Sequence, residues 1–387
     1  MSGNKKITVK SELISRLNLT DFRNHSNTSI SPINKFIVLT GVNGSGKTNI
    51  LEAISTFSIG KGLRGAHLND LSNIYGRGGW AAFIEGVGMR GNCRLGTGFE
   101  KKEKENSNIK QCRIDGKFVN GSKSFANHIG LLWFTPVMDK IFIGPRNERR
   151  KFFDKLFAVI QNNYDDEIKR YERVMTQRNR LLYTMNNSSD KWLNRLEIQL
   201  SEAAVKVLVQ RRNAIEQINQ IMEKEVKNNL FPSSKIITRG SFEDLADEVS
   251  MANFKEEFIK ILHANRKKDQ ESMMTSVGPH RTDFSLFYRK NNMYSENCST
   301  GEQKNLLISL ILAEARAYQE KNKGFSPILL FDEIVAHLDK ERAQNLFEQI
   351  SEIGSQAWLT GTNQYLFQDL ISDADFFDIN DGKTVTS

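Results

Sequence analysis

Cysteine is scarce in this 387-residue chain: Cys93, Cys112 and Cys298 are the only three. They form no CxxC pair and their number is odd. A disulfide framework and a zinc site are therefore not expected, and a reducing, cytoplasmic compartment is. No apolar run approaches the ~18 residues that a membrane-spanning helix requires. The first residues, MSGNKKITVK, are basic but lack an apolar stretch behind them, so no secretory signal is expected. There is no internal repeat and no low-complexity tract. Nor is there an acidic excess: 54 Lys and Arg face 46 Asp and Glu, a formal net charge of +8. That balance suits a polyanionic partner without identifying one.

Glycine and proline are missing between Arg149 and Leu230. Apolar residues return there at helical spacing: Phe153, Leu156, Phe157 and Ile160, then Ile168, Tyr171, Val174 and Leu181. A third helix carries Val205, Leu208, Ile215, Ile218, Met222 and Val226, interrupted by Arg211 and Arg212. The heptads last too few turns for a long coiled coil, and MNNSSD (185–190) breaks them, so a compact helical arm is expected. Between Arg146 and Arg212 there are 15 Lys and Arg against 9 Asp and Glu, a local net of +6. A solvated face of long helices accounts for this as readily as a binding surface does.

The flanks read differently. LISRLNLTDF alternates, FIVLT (36–40) is a short β-rich run, and the segment from Trp80 to Val119 is cut by glycines as antiparallel hairpins are. LLWFTP (131–136) adds a strand. Strand and helix alternate again from about residue 281, through DFSLFYR, a helix at 302–319, PILLFDE, a helix at 340–353, QAWLT and ADFFDI. This predicts a mostly parallel, covered sheet. The expected architecture is one α/β head built from both chain ends (1–135 and 273–387) with an inserted, mainly helical arm (136–272).

GVNGSGKT (41–48) fits G-x-x-x-x-G-K-[ST] between a strand and a helix. Gly41, Val42, Asn43, Gly44, Ser45, Gly46, Lys47 and Thr48 form a loop whose amides can face phosphates. Lys47 reaches the β/γ-phosphates and the Thr48 hydroxyl binds Mg²⁺. In PILLFDEIVAHLD (327–339) an apolar strand ends in Asp332, placed to hold Mg²⁺, and Glu333 follows as a carboxylate able to act on an attacking water. Taken alone, that strand could simply end at an acidic helix start. With the phosphate loop and Asp339 it predicts a nucleoside triphosphatase using ATP and Mg²⁺, with Lys47, Asp332 and Glu333 catalytic.

NCSTGEQKNLLISL (297–310) opens another helix. Ser299 and Glu302 make a capping box, which explains a helix start without any ligand. The same exposed amides also attract anions. Lying one helix ahead of the Asp332 strand, STGEQ resembles the signature of the ATP-binding-cassette superfamily. The resemblance narrows to the RecF family through LNLTDFRNHSNTSI, GVNGSGKTNILEAI, FTPVMDKIFIGPRNERRKFFD, MTQRNRLL, GPHRTDF, STGEQK and LLFDEIVAHLD, which occur in that order from about Leu13 to Ile379.

The resemblance implies a DNA-binding recombination mediator of repair and replication that dimerises on ATP, hydrolyses it slowly, and acts with RecR and RecO at gapped or stalled DNA. It further implies that Ser299 and Gly301 act on the nucleotide held by a second subunit. Arg23 and Asn24 would approach the nucleotide, with a solvated turn as the bland alternative. Asp339 would belong to the nucleotide site, and Thr360 would take the switch position. Arg64 would lie beside the phosphates or near DNA. His337 departs from the family pattern, and His280 is expected to be a structural hydrogen-bonding residue. Arg146, Arg149, Arg150 and Lys151 are the candidate DNA contacts, unless they hold the arm in place; Lys101, Lys102 and Lys104 are the alternative surface. Few aromatics interleave the arm's basic residues, so backbone contacts to duplex DNA are expected over stacking on single strands. A transporter ATPase subunit is the competing reading, but at ~240 residues it would leave the basic arm unexplained. A chromosome-organising head with a long coiled coil would need a longer middle segment.

Overall fold

The computed structural model describes residues 9–100, 110–184, 190–224, 230–370 and 372–386. The chain divides into two compact units, Met1–Met138 with Ala315–Ser387, and Asp139–Glu314.

In the first unit, strands Phe36–Thr40, Ala357–Thr360 and Ile328–Phe331 lie side by side in parallel. Leu131–Phe134 extends this sheet on one side and Ala374–Asn380 on the other, and Lys383–Thr386 closes it antiparallel. The three central strands are buried along their whole length, as continuous apolar runs covered on both faces must be. A second, antiparallel sheet runs His25–Ile30, Leu13–Phe22, Gly79–Gly88, Gly91–Glu100, Gln111–Ile114 and Lys117–Phe118. Helix Lys47–Ser55 contributes Ile50, Leu51 and Ile54 to one core shared by both sheets, with Leu17, Leu19 and Ile84 from the antiparallel one and Ile37, Leu39, Leu330 and Trp358 from the parallel one. The helix that follows the phosphate loop is thereby fixed by apolar contact on either side. Helix Lys340–Ile353 packs Phe347 edge-on against Phe36.

The second unit holds helices Arg146–Ile160, Tyr164–Tyr183 and Asp190–Lys224, followed by shorter helices Ser241–Glu248, Met251–Ala264 and Arg266–Ser272. Most of the apolar positions read as helical, Phe153, Phe157, Tyr171, Val174, Leu208 and Ile218 among them, are buried, and Ile168, Leu181, Val205 and Ile215 are half-buried; Val226 lies outside the described residues. Arg211, which interrupts that face, is buried as well. It donates to both carboxylate oxygens of Asp154, to Tyr164 Oη, to the Pro279 carbonyl and to Thr282 Oγ1. His280 joins this core: Nδ1 faces Tyr171 Oη at 2.7 Å and Nε2 faces the Thr275 carbonyl at 2.9 Å. Burial drives its pKa down to about 4, so the ring is neutral at pH 7. GPHRTD is thus tied into the unit by hydrogen bonds.

One sequence expectation is corrected. DFSLFYR does not resume the parallel sheet: Asp283–Tyr288 pairs antiparallel with Ser234–Arg239, in register from Ser234↔Tyr288 to Arg239↔Asp283. That pairing keeps residues 273–314 in the second unit, whose limits fall at Asp139 and Glu314 instead of residues 136 and 272. Among the described residues no helix is long and apolar enough to cross a membrane.

Candidate active site

Three neighbouring parallel strands end at the same edge of the sheet, and each delivers one part of the site. Phe36–Thr40 leads into the 41–48 loop, Ile328–Phe331 into Asp332, and Ala357–Thr360 ends on Thr360 itself. Ligands of open parallel sheets bind at such carboxyl ends.

The loop adopts backbone angles that only glycine takes easily: φ is +140° at Gly41, +84° at Gly44 and +115° at Gly46. A Cβ on Gly46 would sit 2.7 Å from Asn24 Oδ1 and 2.8 Å from His25 Nε2. These neighbours brace the loop from behind. Asn24 donates to the Ser45 carbonyl at 2.9 Å and accepts from Asn49 Nδ2 at 2.8 Å. Asn24 therefore shapes the loop through the Ser45 carbonyl. His25 is fully buried, with Nε2 at 3.0 Å from the Gly46 carbonyl and Nδ1 against Thr28 Oγ1 and the Gly382 carbonyl. Burial lowers its pKa, which keeps it neutral. Sequence reading passed over His25, and its place directly after Arg23 and Asn24 in DFRNH was the available signal.

Lys47 Nζ donates to the carbonyls of Gly41 (2.7 Å) and Val42 (2.9 Å). Burial lowers its pKa, against the opposing pull of Glu333, Asp332 and Asp378. Thr48 and Thr360 each donate to Asp332 Oδ1 at 2.8 Å, and the Glu333 amide donates to Thr360 Oγ1 at 2.9 Å. Hydroxyl and carboxylate thus meet as the paired oxygens that a hard divalent cation takes. Glu333 is held at φ +51°, a left-handed conformation uncommon outside glycine, and it faces a cavity of about 150 Å³ lined also by Asn43, Gly44, Gly46, Lys47, Thr48, Asn49 and Arg64. Among the described residues the buried Ser45 Oγ has no hydrogen-bond partner. An orphaned hydroxyl and a glycine-turned loop beside one lysine fit a polyphosphate with its cation.

The other expected site residues divide between this cavity and other places. Arg23 is engaged by Glu52 on the loop's helix through two bonds of 2.9 and 3.0 Å and by the Asp70 carbonyl at 2.6 Å, which ties it to that helix. Arg64 lines the cavity and also binds Glu52 at 3.0 Å and Asn49 at 2.8 Å. Glu52 is missed by sequence reading because its two arginines are 29 and 12 positions away. Asp339 caps helix Lys340–Ile353 by accepting from the Arg342 amide, and that bond holds its carboxyl below the usual range.

In the basic stretch 146–151 the arginines divide between internal pairs and exposed positions. Arg149 makes a two-pronged pair with Asp283 (2.8 and 2.9 Å) and donates to the carbonyls of Phe142 and Gly144. Arg150 is buried against Asn147 and Asp154. Both hold the second unit together; Arg146 and Lys151 remain exposed. Lys101, Lys102 and Lys104 lie outside the described residues. In the second unit, the capping box at the start of helix Thr300–Lys321 is formed. The Ser299 amide and Oγ donate to Glu302 Oε2 at 2.9 and 2.8 Å, and Gly301 is exposed with open space beside it.

No family model matches the chain. It is 36% identical over 370 residues to the DNA replication and repair protein RecF of Rhizobium etli (strain CIAT 652), covering 96% of this chain and 98% of that protein. It is 37% identical over 369 residues to the protein of the same name in Allorhizobium ampelinum, covering 95% and 97%. Among solved structures it resembles the recombination mediator protein RecF-ATP of the RecFOR pathway with a TM-score of 0.84 at 22% identity, over 99% of this chain and 100% of that one. An Smc head bound to the C-winged helix domain of ScpA shares the fold more loosely, with a TM-score of 0.52 at 16% identity over 97% of each chain. Its identity to near-full-length relatives makes this chain a member of the RecF family of DNA replication and repair proteins.

Proposed function

We propose that this chain is an ATP-switched, DNA-binding recombination mediator with slow ATP hydrolysis. The observation that carries the reading is the shared hydrogen bonding of Thr48 and Thr360 to Asp332 beneath a glycine-turned loop, with Lys47 and Glu333 on the same cavity. Residues 43–48 would hold the phosphates through loop amides, with Lys47 and Arg64 supplying positive charge. Thr48 and Asp332 would hold Mg²⁺, whose charge offsets that developing on the phosphates. Glu333 would orient and deprotonate the attacking water, and Thr360 would fix the Asp332–Glu333 turn.

Ser299 and Gly301 would meet the γ-phosphate of a second copy, so that ATP joins two heads and hydrolysis releases them. Asp339 would add to that shared site. DNA, duplex, single-stranded or gapped, is the macromolecular substrate, RecR and RecO are the protein partners, and the cytoplasm is the compartment. A membrane transporter's ATPase subunit has no comparable support, since the second unit is a large helical insertion.

The test is ATP binding and ATP-dependent self-association of the full chain. Lys47→Ala should lose most ATP affinity, whereas Ser299→Arg should keep it as a monomer and fail to dimerise. A Lys47→Ala protein that binds ATP as wild type does refutes the site, and a folded Ser299→Arg protein that dimerises on ATP refutes the shared-site reading.

A further inference from the structure

Arg149 and Arg150 are committed to internal pairs, and the end of the helical arm offers a further candidate surface. Helices Tyr164–Tyr183 and Asp190–Lys224 pack antiparallel, in a register set by the pairs Glu167–Lys206, Arg170–Glu202 and Arg178–Glu197. Extending that register puts Tyr183, in the last helical position of one, level with Trp192, in the first turn of the other. Their exposures are 64% and 65%. Large aromatic rings are seldom left so open unless a partner covers them. Being carried on helices, they lose little freedom when one does.

Most of the charges around them are positive. Arg180, Lys191 and Arg195 are exposed on the same helix ends. Arg195 lies over one face of the Trp192 ring at 5.8 Å, and the exposure of the side chain leaves further ring surface to solvent. Arg266, which opens the neighbouring helix, pairs mainly with the buried Glu197 and also approaches the exposed Asp190 at 3.6 Å. Lys267 and Lys268 follow it, both exposed. Rings with a free π-face among cations are what unstacked bases and their phosphates need.

We propose that this arm tip binds single-stranded DNA, with Tyr183 and Trp192 stacking on bases and Arg180, Lys191 and Arg195 neutralising phosphates. The inference rests on the DNA-binding reading above and adds to it a surface and a preferred strand state. It also reverses the expectation, drawn from the sparse aromatics of the arm sequence, that duplex backbone contacts dominate.

Trp192 is itself the reporter, because Trp80 and Trp358 are buried and Trp133 is half-buried. The probes are a deoxythymidine oligonucleotide and a duplex of equal length, titrated into the full chain with ATP. The single strand should quench the exposed tryptophan emission, and Trp192→Phe should abolish that quench while retaining most of the affinity. Trp192→Ala and Tyr183→Ala should each weaken single-strand binding about 5- to 150-fold and leave duplex binding within about twofold. Arg195→Ala should lower the single-strand salt slope by about 0.7. Wild-type emission left unquenched by the single strand, with unchanged single-strand affinity in the Tyr183→Ala/Trp192→Ala double variant while DNA is still bound, overturns the tip assignment and leaves the DNA reading standing. A wild-type chain that binds neither oligonucleotide overturns both.

Discussion

Glu12 has no exposed surface, and its oxygens accept from the Gly130 amide at 2.5 Å and the Tyr318 hydroxyl at 2.8 Å. Two donors favour the carboxylate, but loss of hydration is the larger effect and lifts the pKa to about 8. An acid whose pKa is raised by folding takes up a proton as it folds. Its contribution is most favourable below the unfolded value of 4.5 and is lost as pH rises to about 8. Glu12→Gln keeps the shape without the charge. Its amide oxygen accepts from Gly130, its nitrogen donates to Tyr318 Oη, and the tyrosine proton turns to Met89 Sδ at 3.6 Å. The variant should therefore be more stable than wild type by about 1 kcal/mol at pH 5 and about 3 kcal/mol at pH 7. Urea unfolding at fixed ionic strength, read by tryptophan emission, reports on this unit because Trp80, Trp133 and Trp358 all lie in it. A stability gap that does not change with pH, or a less stable variant at pH 7, would show that Glu12 stays ionised on its two donors.

Two further comparisons separate effects that sequence motifs merge. Gly44→Ala meets open space and should cost only the strain of its positive φ, about 1 kcal/mol, while Gly46→Ala adds the clash with Asn24 and His25 and should cost about 2–4 kcal/mol. Equal losses on chemical unfolding would mean that these neighbours do not brace the loop. Arg149→Met should destabilise by about 3 kcal/mol by stranding Asp283, and Arg146→Met by under about 0.5, since Arg146 is largely exposed. If Arg149→Met instead lowers the salt slope of DNA binding and spares stability, Arg149 is a phosphate contact after all.

Local chemistry was legible in the sequence, and distant pairing was not. The glycine loop, the strand ending in Asp332 and the capping box at Ser299 are each written within a dozen residues, and each forms as expected. DFSLFYR reads as a strand correctly, yet nothing within it says which strand it will join, since alternation with helices is common to both outcomes. NERRKFFD shows the same limit in charge. A run of arginines looks identical whether it meets phosphate or a carboxylate 134 positions away, which is what Arg149 does with Asp283. Arg211 extends the point: it breaks the apolar face of its helix because it is that face's polar anchor. Tyr183 and Trp192 look unrelated in the sequence, and only the antiparallel packing of their helices sets them level.

The helix end at Ser299 was read both as a cap and as an anion site, and the geometry bears on how the two coexist. Glu302 Oε2 already takes the Ser299 amide and hydroxyl, while Asn291 Nδ2 donates to Oε1 at 2.6 Å. Those bonds hold the Glu302 carboxyl below its usual pKa, so the helix end carries a negative charge of its own beside the site proposed for a partner's phosphate. A phosphate using the Ser299 hydroxyl must take it from Glu302, and that contact contributes only the difference between two charge-assisted bonds. The exposed amides at Thr300 and Gly301, reinforced by the helix dipole, have no such competitor among the hydrogen bonds of this terminus and would carry most of the attraction. Nothing in its own subunit lies within 4 Å of where a Gly301 side chain would begin, so on the shared-site proposal a Gly301→Ala variant that loses ATP-induced dimerisation without losing stability would mark that space as the partner's.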